Sequence, residues 1–105
     1  MSSVQLSGNT LRLVRHTFAP EDHAAVIAAL EDRCGSGLPL WVATTPDGLE
    51  RIRFAVLKLG SGSMPEFERA IAIANTDWRD VLVAAGFGNS LLAHINWFDA
   101  QVRGS

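Results

Sequence analysis

Cysteine is almost absent from this sequence. Cys34 stands alone, which excludes an internal disulfide or a cysteine-based zinc site and fits a reducing compartment. Neither sign of charge dominates. Nine Lys and Arg stand against eleven Asp and Glu, a formal net charge of −2, so the chain as a whole offers DNA or an acidic membrane no attraction. No apolar run reaches the length of a membrane span, and Met1-Ser2-Ser3-Val4-Gln5 lacks the basic patch and apolar stretch of a signal peptide. The cytoplasm is therefore the expected compartment. Long polar tracts are missing as well, and with 48% hydrophobic and 19% charged residues the composition is that of a folded chain. Repetition is limited to the Gly-Ser-Gly triplets at 35 and 60, too short to mark a repeat architecture. What remains is one globular domain over 1–105, a length that holds a single core.

The pattern along the chain predicts an α+β fold: an antiparallel sheet of two hairpins covered by helices, in the order β-β-α-β-β-α-α-α. Val4–Ser7 and Thr10–Phe18 flank Gly8-Asn9, a pair suited to the positive φ of a tight hairpin turn. Pro20, Glu21 and Asp22 then open a helix over 20–34, closed by Gly35, with His23, Val26, Ile27, Leu30 and Cys34 on one face. Leu40–Thr45 and Leu49–Leu59 read as the second hairpin around Pro46-Asp47-Gly48. Ile52, Phe54 and Val56 face one way there and Arg51 and Arg53 the other, before both faces turn apolar. Ser63 caps a helix over about 64–75, Asp77 one over 77–85 that is apolar all round through Val83 and Ala84, and Asn89-Ser90 one over 91–102. In this last stretch Leu91, Ile95, Phe98 and Val102 share a helical face, although alternation also allows a strand.

Candidate chemistry is sparse. His16, His23 and His94 are the natural first places to seek a metal or a general base, but no two of them have ligand spacing, and no metal or cofactor is expected. Cys34 lies at the end of a helix, where the local dipole disfavours a thiolate, so a small buried role suits it better than a nucleophilic one. Gly60-Ser61-Gly62-Ser63 follows one element and opens a helix, so its backbone N–H groups are a candidate anion or nucleotide site. It lacks the returning strand, the third glycine and the Lys-Ser/Thr pair of the nucleotide loops, which leaves an ordinary turn as the plainer reading. Six of the eleven acids, Glu21, Asp22, Glu66, Glu68, Asp77 and Asp80, sit at or near helix starts, where the macrodipole accounts for them. Arg12, Arg51 and Arg53 are expected outside, on the solvated face of the hairpins.

Asp77-Trp78-Arg79-Asp80-Val81-Leu82-Val83-Ala84-Ala85-Gly86-Phe87, with His94 and Trp97 beyond it, resembles a segment that recurs in small bacterial proteins of unknown function. The resemblance covers about a fifth of the chain and implies a bacterial origin and a shared fold, with no activity attached. The residues themselves point to a non-catalytic interaction or accessory domain. The alternatives are a small hydrolase-like enzyme using one of the three histidines and an anion-binding regulator at Gly60–Ser63. A homodimer, or else a complex with another protein, is the expected partner state, with no nucleic acid and no membrane. Its interface is placed on Val83 and Ala84 together with Ala93, Trp97 and Ala100, rimmed by His94 and Gln101.

Overall fold

The computed structural model describes residues 6–34, 46–88 and 92–103, and every element among them is helical. α1 spans Gly8–Thr17, α2 His23–Arg33 after a 3-10 turn at Pro20–Asp22, α3 Pro46–Gly60, α4 Met64–Thr76, α5 Trp78–Ala85 and α6 Ala93–Arg103. The expected α+β sheet of two hairpins is thereby overturned: its strands over Thr10–Phe18 and Leu49–Leu59 are α1 and α3. Leu40–Thr45 and the start of the first strand, through Gln5, lie outside the described residues.

Both errors have a physical cause. In the first segment Ser7 is an N-cap: its Oγ accepts the Thr10 N–H at 3.1 Å. Gly8-Asn9 therefore begins a helix rather than reversing a strand. Thr10, Leu13, Val14 and Phe18 are buried at offsets 0, 3, 4 and 8, the spacing of a helical face. In the second segment Pro46 occupies a first helical position, where its missing N–H costs nothing. Ile52 through Leu57 are six consecutive buried residues, and a run this apolar fits a central helix as well as a central strand. Length decides. Eleven residues exceed the usual strand, and α3 is the axis of the molecule, packing on α4 and α5 most extensively and also on α1 and α6.

The remaining helices follow their caps. Ser63 Oγ accepts from Glu66 N, and Asp77 Oδ1 accepts from Arg79 N at 3.0 Å. Gly86 ends α5 in the left-handed region at φ 82°, with its N–H on Val83 O and that of Phe87 on Leu82 O. The segment Asp77–Phe87 is thus one capped helix with its anchors: Trp78 packs on the core, and Phe87 is buried at the other end. Arg79 bonds Asp77 through backbone and side chain, which holds the carboxyl below its usual range. At the end of α2, Arg33 grips Glu68 with two 2.8 Å bonds while Asn75 Nδ2 donates to Arg33 O, tying α2 to α4.

Over residues 93–103 the strand alternative is excluded, and Leu91 lies outside the described residues. The inward face of α6 also differs from expectation: His94 and Phe98 are buried and Trp97 half-buried, while Ile95 is 42% exposed. Aromatic packing explains the turn. Phe54 of α3 meets His94, Trp97 and Phe98 with ring centroids 5.6, 6.3 and 5.2 Å away, and Phe87 meets Trp97 at 5.8 Å.

Candidate interaction surface

Each histidine has a structural setting. His16 is exposed on α1, His23 Nε2 bonds Phe18 O at 2.7 Å, and His94 packs between the rings of Phe54 and Phe87. Among the described residues no group of three His, Cys, Asp or Glu is placed to hold a metal ion. Cys34 is fully buried, and burial pushes its thiol up to about 12 although Arg53 pulls the other way.

In the turn Gly60-Ser61-Gly62-Ser63, the N–H groups of Ser61 and Ser63 and the Ser63 hydroxyl are spent on the chain itself. Ser61 N donates to Leu57 O and Ser63 N to Gly60 O, while Ser63 caps α4. A Cβ at Gly60 would stand 3.1 Å from the Phe67 backbone, and one at Gly62 2.8 Å from Thr17 O. The glycines are there so that α3, α4 and the end of α1 can approach one another, and the turn is built as a packing joint.

Of Arg12, Arg51 and Arg53, expected outside on a solvated face, two turn inward. Arg53 is 2% exposed, its Nε donating to Cys34 O at 2.9 Å. Arg51 is half-buried and reaches Phe87 O. Arg12 alone is exposed, lying 5.9 Å from the Phe98 ring. The expectation assumed strand alternation; on a helix Arg51 and Arg53 follow a different geometry.

Of the residues expected at an interface, Val83 and Ala84 are exposed on α5, and Ala100 and Gln101 on α6. Ala93, His94 and Trp97 turn inward, with Lys58 Nζ 5.8 Å from the Trp97 ring centroid. The structure therefore separates the group, and it gives Val83 and Ala84 neighbours that the sequence does not announce. Beside Ala84, between α4, α5 and the last turn of α3, lies an open cleft of about 130 Å³. Leu59, Ala70, Ile73 and Ala84 supply its apolar lining, and Glu66 and Arg69, paired at 2.7 Å, its polar rim. Val83 projects from the same outer side of α5 with 71% of its surface exposed.

No family model, curated protein or solved structure matches this chain. The surface is accordingly read from its geometry.

Apart from Ala84, the cleft residues are invisible to linear inspection, because Leu59, Ala70 and Ala84 come from three helices, one of which, α3, lies where a strand is expected. The useful signal was the far side of α5: Val83 and Ala84 make that helix apolar beyond the face it needs for the core. Leu92 and Ile95, 61% and 42% exposed, form a second apolar pair at the start of α6. No helix among the described residues is long and apolar enough to cross a membrane.

Proposed function

We propose that this chain is a small cytoplasmic interaction domain whose working surface is the outer face of α4 and α5, and that it acts by docking a protein there rather than by catalysis. The observation that carries the reading is Val83: a branched apolar side chain held 71% exposed on a helix whose buried residues, Val81, Leu82 and Ala85, already face the core. A large exposed apolar side chain beside an apolar cleft is the arrangement of an anchor and its seat. His23 bonds Phe18 O, Arg53 bonds Cys34 O and Ser63 caps α4, so these groups serve the packing of the helices.

Replacing Val83 with a photoactivatable benzophenone amino acid tests the reading in the cells that produce the protein. A discrete cross-linked adduct is expected from position 83 and none from the same probe at Ala25, which is exposed on α2. Failure to form an adduct at 83, or equal capture at both positions, would overturn the proposal.

A further inference from the structure

We infer that the outward face of α1 docks an acidic segment of a partner protein, its carboxylates taken by Arg12 and Arg15 with His16 beside them. α1 contains no Asp or Glu over Gly8–Thr17. Thr10, Leu13 and Val14 are its buried side, while Arg12, Arg15 and His16 are exposed. At 100° per residue these three fall within about 100° of one another, opposite the buried side. The centre of the helix's solvent side is therefore basic.

Other arginines serve the fold. Arg33, Arg69 and Arg79 pair with Glu68, Glu66 and Asp77, and Arg51 and Arg53 reach main-chain carbonyls. No acidic side chain among the described residues comes within ion-pair distance of Arg12 or Arg15. Glu50, near the start of α1, accepts from the Ser7 hydroxyl instead. The dipole of α1 favours cations in its last turn, which accounts for Arg15 and His16 but not for Arg12. The Arg12 guanidinium lies 5.9 Å from the centroid of the Phe98 ring of α6, and a guanidinium over a ring keeps its planar N–H fork for a carboxylate.

The small number of charges sets the class of partner. Membrane headgroups are recruited by about four to eight clustered basic residues, and DNA by about six to ten phosphate contacts, more than α1 supplies. A net charge of −2 also opposes a long polyanion. A short acidic peptide asks for less. Side chains at i and i+3 of a helix stand about 5–6 Å apart and alternate side chains of an extended chain about 7 Å apart, so two carboxylates one residue apart can face Arg12 and Arg15 together. Leu11, only part-buried at the edge of the basic face, offers the segment an apolar contact. This face is on a different helix from the α4–α5 cleft, and the inference holds whether or not that cleft is filled.

NMR titration of the labelled full chain at low salt with a capped peptide of alternating Glu and Gly tests it. Saturable shifts are expected at Arg12, Arg15 and His16, and none with the peptide in which Gln replaces Glu. Arg12→Glu and Arg15→Glu should each weaken binding about ten-fold with an unchanged circular dichroism spectrum. The inference is overturned by an absence of saturable shifts on α1 or by an affinity indifferent to both reversals. Equal or tighter binding of inorganic phosphate, a single-stranded oligonucleotide or phosphatidylglycerol vesicles would overturn it too.

Discussion

A buried guanidinium is costly unless its donors meet acceptors, and Arg53 meets them where α2 ends. Its Nε bonds Cys34 O, and a terminal nitrogen lies 3.5 Å from Leu30 O, so the last carbonyls of α2 are held by a side chain from α3. Burial pulls the guanidinium below the usual arginine range, against the opposing pull of Cys34 and Glu31. The neighbouring thiol is perturbed the other way, to about 12 from an ordinary 9.0. In the unfolded chain Cys34 ionises near its ordinary value while the folded chain keeps the proton, so stability is full below pH 9 and falls as pH rises toward the folded pKa. The contribution approaches about 1.4 kcal/mol per pH unit in that window. Urea denaturation at pH 8 and at pH 10.5 should show this decline in the wild type and a shallower one in Cys34→Ala; equal slopes would contradict the burial of the thiol.

At the scale of the element, two glycines that look alike in sequence behave oppositely. Gly62 has φ 84° and would place a Cβ 2.8 Å from Thr17 O, whereas a Cβ at Gly8, in the first turn of α1, meets nothing within 4 Å. Gly62→Ala should therefore cost about 2 kcal/mol or more, through strain and a backbone clash. Gly8→Ala should stabilise by about 0.4–1 kcal/mol by narrowing the unfolded ensemble. Denaturant midpoints check both, and a destabilised Gly8→Ala would argue against a helix there. Gly8 also marks how far the sequence could be read. α2, α4 and α5 were legible because Pro20, Ser63, Asp77 and Gly86 mark their ends, and α6 because its apolar residues recur at helical spacing. α1 was hidden because Gly8-Asn9 suits a hairpin turn as well as a helix start, and α3 because a helix buried on all sides loses its periodicity. The inward face of α6 was missed for another reason: ring contacts with Phe54 and Phe87 set its rotation, and the linear pattern holds no record of them.

The whole molecule is arranged around α3, and what that arrangement leaves uncovered sets the functional question. Once α4 and α5 have packed on α3, Val83 and the cleft beside Ala84 face outward; once Trp97 has settled against Phe87, Ile95 of α6 and Leu92 just before it also face outward. Val83 was within reach of sequence reasoning, since surplus apolar positions on a short helix are countable. The cleft was not, because it exists only when three helices are in place. The most direct measurement is a set of methyl and backbone NMR spectra of the labelled full chain in an extract of the cells that produce it, compared with buffer. The account predicts line broadening that clusters on Val83, Ala84, Ile73 and Arg69, while Leu92 and Ile95 stay still. Spectra unchanged by the extract, or broadening that gathers at Leu92 and Ile95 instead, would contradict it.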